Sequence, residues 1–280
     1  MRIASRDHVI DAQPSPRPLV VAFHCSGATG RQWNALRDAT AGFDLFAPDL
    51  TGATPGLAWS GHGPFDLLAE AAEALATIDR HPGCVHLVGH SYGGGVALAI
   101  AARRPEKVAS LSLYEPSAFH VLRTGDARAR RAWREIAAVA SATVRGVATG
   151  DYEGAADRFV TYWAGPGAWS RMKPAARDAT RAAVPSFALH FHALTSEPTP
   201  LAAYGAFGFP VLVMRGDRSP LAARTTADIL ADAMPRAARV VLEGWDHLAP
   251  LTASEELAAM LARFIRAATL SGDAGGCLAA

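Results

Sequence analysis

Val85-His86-Leu87-Val88-Gly89-His90-Ser91-Tyr92-Gly93-Gly94-Gly95-Val96-Ala97-Leu98-Ala99-Ile100 is the stretch that decides the fold. Val85 to Val88 is a short apolar run of the kind that fills a strand covered on both faces. Val96 to Ala102 is a run of helix formers and apolar residues, so the residues between must turn the chain sharply from strand to helix. A serine inside a Gly-x-Ser-x-Gly turn in that context has its hydroxyl held out at the end of the strand, as a nucleophile needs. Small residues at Gly89 and Gly93 admit neighbouring backbone, and Gly94 and Gly95 suit close packing of the helix on the strand. A tight glycine turn with an idle serine is the bland alternative. The strand and helix on either side favour Ser91 as the nucleophile.

Outward from this turn, short β-rich runs alternate with longer helical stretches. The runs are Leu19 to Phe23, Phe43 to Ala47, Val108 to Tyr114, Val211 to Met214 and Arg239 to Leu242. Between them apolar residues recur at helical spacing, at Leu67, Leu68, Ala71, Leu75 and Ile78, at Ile229, Leu230 and Met234, and from Leu257 to Ile265. The pattern predicts an α/β fold with a mostly parallel central sheet and helices on both faces. From about Pro116 to Gly208 the alternation stops. Ala127 to Val147, Tyr152 to Trp163 and Pro174 to Val184 read as helices with no strand among them, which predicts an inserted helical cap. The expected division is a core of residues 1–116 and 209–270, a cap of residues 117–208 and a flexible tail of residues 271–280. Many large aromatics fall in the cap, including Phe159, Trp163 and Phe187. Most should form its own core, and a few should face a ligand pocket at the junction.

Composition narrows the function. Half of the 280 residues are apolar and 19% are charged, enough to bury a large core. Lys and Arg number 27 against 26 Asp and Glu, a net charge of +1 with no dense basic run, which argues against nucleic-acid binding. The Arg- and Ala-rich usage suggests a GC-rich bacterial genome. Cys25, Cys84 and Cys277 make no disulfide framework and no metal-binding spacing, so a reducing compartment is the default. The N-terminal residues lack the apolar stretch of a signal peptide, and no run is long enough to span a membrane, so a soluble, cytoplasmic protein is expected.

Several ordered motifs resemble those of the α/β-hydrolase superfamily, and the resemblance covers nearly all of the chain. They are Gly89-His90-Ser91-Tyr92-Gly93, the first strand's ending in His24-Cys25-Ser26-Gly27 with Trp33 nine positions after His24, Pro48-Asp49-Leu50-Thr51-Gly52, and Gly244-Trp245-Asp246-His247. Cys25 stands where the family commonly has glycine and reads as a small buried substitute, since nothing around it lowers a thiol pKa. The resemblance implies that His247 is the general base, that His24 braces the loop beside the oxyanion, and that the backbones of Ser26 and Tyr92 form the oxyanion hole. His90 reads as structural. His190 and His192 could in principle pair on a metal, but with no third ligand they read as packing.

The sequence departs from the family at the acid. Gly216-Asp217-Arg218-Ser219 puts serine at the usual position, and serine cannot carry the negative charge that stabilises an imidazolium. Glu115, at the end of the Val108 to Tyr114 run, and Asp217 are the two candidates. Glu115 is favoured because some family members place the acid at that earlier strand end. A turn-forming role is the bland reading of Asp217, and a salt bridge to Arg123 that of Glu115. The implied activity is cofactor-free, metal-free hydrolysis of a small or medium apolar ester or thioester through an acyl-enzyme. Carbon–carbon bond hydrolysis and perhydrolysis use the same residues. A ligand-binding protein with little turnover, and an enzyme for carrier-bound acyl groups drawn to Arg128, Arg130, Arg131 and Arg134, are the other readings. A small-molecule acyl substrate is the expected partner, with no nucleic acid or membrane, and a homodimer is possible.

Overall fold

The computed structural model describes residues 17–54 and 57–271. The readings of the N-terminal segment, of residues 272–280 and of Cys277 lie outside them.

The strands are β1 (Leu19–Phe23), β2 (Asp44–Phe46), β3 (Val85–His90), β4 (Val108–Tyr114), β5 (Val211–Gly216) and β6 (Ala237–Leu242). Each coincides with a run read from the sequence, and all pair in parallel in the order β2-β1-β3-β4-β5-β6. Alternate side chains enter different cores, as the period of a strand dictates. Leu19, Val21 and Phe23 pack with Leu87, Leu111, Leu113 and Val213 in one core. Val20 and Ala22 join Val88, Leu212 and Met214 in the other.

Helices cover both faces. In chain order they are α1 (Asn34–Ala39), α2 (Leu67–Glu70), α3 (Ala72–Arg80), α4 (Tyr92–Arg103), α5 (Ala127–Thr149), α6 (Tyr152–Ala164), α7 (Ala168–Arg171), α8 (Pro174–Ser196), α9 (Leu201–Tyr204), α10 (Leu221–Ala233), α11 (Ala249–Thr252) and α12 (Ser254–Leu270). Leu36 of α1 and Leu257, Leu261 and Ile265 of α12 pack on the second core, whereas α3, α4 and α10 pack on the first. The helix read across Leu67 to Ile78 is two helices, because Ala71 leaves helical geometry at ψ −1.

α5 to α9 lie between β4 and β5 and form the inserted helical layer. α8 runs twelve residues past the expected end at Val184, to Ser196, with Pro185 inside it. Proline removes one backbone donor from a helix interior. Here Val184, Phe187, Phe191 and Leu194 on both sides of it are buried, and their packing carries the helix through.

No helix among the described residues is long and apolar enough to cross a membrane. Cys25 is a free, buried thiol.

Candidate active site

Ser91 sits between β3 and α4 with φ 54 and ψ −119, a conformation that residues with a Cβ rarely adopt. The turn is closed by contacts that tolerate no side chain. A Cβ on Gly89 would lie 2.5 Å from the Gly93 carbonyl oxygen, and one on Gly93 would lie 2.3 Å from that of Phe23. The Ser91 N–H donates to Tyr114 O (3.1 Å) and Ser117 N–H donates to Ser91 O (3.0 Å), fixing the turn to the end of β4. Strain held by the surrounding structure is a mark of functional positions.

The other positive φ at a non-glycine residue, among the described residues, is at Glu115, at 43. Its N–H donates to Met214 O, 2.9 Å away, and its carboxylate turns under the strand ends with no exposure to solvent. Oε1 accepts from the Gly216 N–H at 2.7 Å and from the Ser219 hydroxyl at 2.5 Å. Oε2 lies 2.7 Å from His247 Nδ1, and His247 Nε2 lies 2.9 Å from Ser91 Oγ. Burying a carboxylate is costly unless donors meet it, and these three do. Ser219, three residues beyond Gly216, is thus a donor to the Glu115 carboxylate.

Asp217 is not in this chain of contacts. Its Oδ1 accepts from the Gly244 N–H at 2.8 Å, and its own N–H donates to Leu242 O at 3.2 Å, so it ties the loops after β5 and β6 together. Arg123 lies over the Trp133 ring, 4.8 Å from its centroid, rather than beside Glu115.

The loop that carries His247 is held from below. Gln32 Nε2 donates to His90 Nδ1 at 3.1 Å, which leaves His90 Nε2 to donate to His247 O at 2.9 Å. Burial pushes the His90 pKa well below its ordinary value, so this ring stays neutral. Tyr114 Oη donates to Asp246 O at 2.7 Å. Trp163 of α6 stacks on the upper face of His247, with ring centroids 4.0 Å apart and 24° between planes.

Ser26 and Tyr92 flank Ser91, and the three line a small inner chamber with Ser117, whose hydroxyl is 3.3 Å from Ser91 Oγ. His24 braces the loop that carries Ser26. Its Nε2 accepts from the Leu50 N–H at 2.9 Å, so its Nδ1 donates to Cys25 O at 2.7 Å. Cys25 lines the cavity, and burial raises its thiol pKa to about 12, leaving no thiolate to act. His190 is buried, whereas His192 is exposed two residues on. Among the described residues no three His, Cys, Asp or Glu side chains could hold a metal ion.

Above Ser91 and His247 opens a cavity of about 270 Å³. Its walls are mainly Phe159, Val160, Trp163, Met172 and Phe187 from the helical layer, with Leu248 beside His247. No charged side chain lines it among the described residues. Phe159 and Phe187 stack at 4.2 Å. The sequence reading placed these aromatics in the insertion. It did not find the stacking of Trp163 on His247 or the Ser117 hydroxyl. For Ser219 it had the spacing from Gly216 as a signal.

Comparison with known proteins bears on the family and the fold. The sequence model described as "Alpha/beta hydrolase family" matches residues 20–260, and the chain belongs to that family. Lipase LipV of Mycobacterium tuberculosis is 35% identical over 113 residues, 39% of this chain, and the match spans 41% of that protein. An α/β hydrolase from Sphaerobacter thermophilus superposes with a TM-score of 0.62 at 25% identity, over 87% of this chain and 92% of that one. A structure reported among carboxylesterases of Nitrososphaera gargenis superposes with a TM-score of 0.70 at 18% identity, over 92% of this chain and 93% of that one, and shows the shared fold.

Proposed function

We propose that this hydrolase cleaves small or medium, uncharged apolar esters or thioesters through an acyl-enzyme on Ser91, without a cofactor. The observation that carries this is the line of contacts from Ser91 Oγ through His247 (2.9 Å) to Glu115 (2.7 Å) beneath an uncharged cavity.

His247 Nδ1 donates to Glu115, which leaves Nε2 bare to take the Ser91 proton as Oγ attacks the substrate carbonyl. The new bond places negative charge on the carbonyl oxygen, and the N–H groups of Ser26 and Tyr92 receive it. As the intermediate collapses, His247 returns the proton to the leaving alkoxide or thiolate. Water then attacks the acyl-enzyme with the same base, and Ser91 is regenerated. Glu115 holds the ring in the productive tautomer and stabilises its charged form.

The ligand-binding alternative rests on Ser219 having replaced the acid, and Glu115 removes that ground. An enzyme for carrier-bound acyl groups would need basic residues at the cavity, and none of Arg128, Arg130, Arg131 and Arg134 lines it. Arg128 is instead paired with Asp228 at 2.9 Å. A substrate bearing a carboxylate would find no cationic partner in the walls, so esters are favoured over acidic carbon–carbon hydrolase substrates.

Hydrolysis of p-nitrophenyl acetate, butyrate and octanoate by wild type and Ser91→Ala, with fluorophosphonate labelling in parallel, tests the reading. Turnover and labelling that both require Ser91 are expected. Turnover that survives Ser91→Ala in a folded protein would overturn it.

A further inference from the structure

The side chains of a buried polar cluster next to the site are not used in the chemistry just described. His190, 3% exposed, projects inward from α8. Its Nε2 lies 3.0 Å from Thr51 O, its Nδ1 lies 2.8 Å from Ser26 Oγ, and its ring stacks on Tyr92 with centroids 3.8 Å apart and 15° between planes. Glu70 completes the cluster, accepting from the Tyr92 hydroxyl at 2.8 Å and from the Thr51 N–H at 2.9 Å.

The proton positions follow from what each partner can do. A carbonyl oxygen only accepts, so Nε2 of His190 carries the hydrogen and Nδ1 is bare. The Ser26 hydroxyl must then donate to Nδ1. Burial lowers the His190 pKa to about 3, so the ring remains a neutral acceptor at ordinary pH. His24 makes a second tie between the same two loops in the opposite tautomer, accepting from Leu50 N–H and donating to Cys25 O. The tie through His190 differs in coming from the helical insertion. α8 also seats against both loops by contact, since a Cβ on Gly52 would run into Ser186 and one on Gly27 would lie 3.2 Å from Phe187.

The two residues whose N–H groups are assigned to the oxyanion therefore meet one imidazole, Ser26 by a hydrogen bond and Tyr92 by its ring. We propose that His190 is a positioning residue of the oxyanion hole, which holds Ser26 through its hydroxyl and makes the placement of that N–H depend on the seating of α8. This rests on the assignment of Ser26 and Tyr92 as the oxyanion donors. Losing an oxyanion donor outright costs about 10²- to 10³-fold in kcat. Loosening one donor should cost roughly 10- to 100-fold.

The test is steady-state hydrolysis of p-nitrophenyl butyrate by wild type, Ser26→Ala, His190→Ala, His190→Asn, His190→Gln and the Ser26→Ala/His190→Ala double variant, with thermal unfolding of each. Ser26→Ala and His190→Ala should each lower kcat by roughly 10- to 100-fold with KM little changed, because the donors act on the transition state. The double variant should be no slower than the worse single one, since both remove the same hydrogen bond. His190→Asn, whose Oδ1 takes the place of Nδ1, should recover most of the loss, and His190→Gln should not.

Multiplicative losses in the double variant, recovery by Gln rather than Asn, or normal kcat in Ser26→Ala with a lowered melting temperature would each overturn the proposal. So would imidazole ¹⁵N shifts showing His190 protonated on Nδ1, a readout that needs no turnover. A wild type inert towards both the esters and fluorophosphonate defeats the functional reading itself, and with it the role for His190. An active wild type with indifferent His190 variants defeats the positioning role alone.

Discussion

The strand ends and the helical insertion both face the cavity, and they place their side chains by different means. At the strand ends the backbone does the placing. Ser91 and Glu115, the non-glycine residues held at positive φ among the described residues, present polar side chains whose partners are fixed by the pairing of β3, β4 and β5. In the insertion, packing does the placing, and Phe159, Trp163 and Phe187 are set by ring against ring. A position fixed by the backbone cannot drift, whereas a wall fixed by side-chain volume moves when the volume changes. Substitution at the strand ends should therefore abolish the reaction, and substitution in the insertion should retune it.

The largest effect tests the first half of that contrast. Ser91→Ala and His247→Ala should each lower kcat by about 10⁶-fold, as loss of either does in a serine protease. The melting temperature of Ser91→Ala should stay near wild type, because its side chain carries none of the packing of the turn, whereas His247→Ala takes one of the three donors from the buried Glu115 carboxylate and should melt lower. A collapse in stability in Ser91→Ala would mean that this residue is structural.

Glu115→Gln and Asp217→Asn sharpen it. The Gln amide must present its NH₂ either to His247 or to the donors Gly216 N–H and Ser219 Oγ–H. Towards His247 it would make Nδ1 the acceptor, move the ring proton to Nε2 and leave nothing to accept from Ser91. A loss of about 10⁴-fold in kcat is expected, as for an acid-to-amide change in a serine triad. Asp217→Asn keeps an acceptor for Gly244 and should change kcat by less than about threefold, with at most about 1 kcal/mol of stability lost in urea unfolding. The reverse ranking would give the acid role to Asp217.

This pair also shows how far the sequence could be read. Each strand was legible because apolar runs of strand length lay between helical stretches, and Ser91 because its turn chemistry is local. Glu115 was favoured over Asp217 only through the resemblance, since each follows a strand run and either preserves the order Ser, acid, His. Tertiary register gives them different partners. Tyr114 pairs with Met214, which puts the Glu115 carboxylate beneath Gly216 and Ser219, while Asp217 turns to Gly244. Ser26 with His190 and Trp163 with His247 are contacts between segments far apart in the chain, and no periodicity announces them. Pro185 made α8 look shorter than it is, because the burial that carries the helix past it is tertiary too.

Acid stability compares the two regions by another route. His24, His86 and His90 on the core side, and His190 in the insertion, are buried with pKa values lowered, to about 4 for His86 and about 3 for His190. Below the unfolded value of about 6.5 the unfolded chain takes up protons that the folded chain refuses. Stability should be full above that pH and fall as the pH drops from about 6.5 towards the lowered values, by roughly 1.4 kcal/mol per pH unit for each histidine. Urea unfolding at pH 7, 6 and 5 measures the slope, and His86→Asn should reduce it by about one proton. Separate transitions for near-UV and far-UV signals would show that unfolding is not two-state, and the slope would then not belong to a single folded-to-unfolded step.

The smallest effect falls on the residue where the contrast is weakest. Trp163 belongs to the insertion by sequence and packing, yet its indole covers the face of His247 and walls the cavity. When His247 becomes positively charged during the reaction, the indole face attracts it by about 0.5–2 kcal/mol, and a phenyl face does so less well. Trp163→Phe should thus lower kcat by only about threefold to tenfold. It should also enlarge the cavity, moving the preference among p-nitrophenyl acetate, butyrate and octanoate towards the longer chain. A fall of a thousandfold with unchanged chain-length preference would place Trp163 with Ser91 and Glu115. The boundary between placement by backbone and placement by packing would then run inside α6 rather than between the insertion and the sheet.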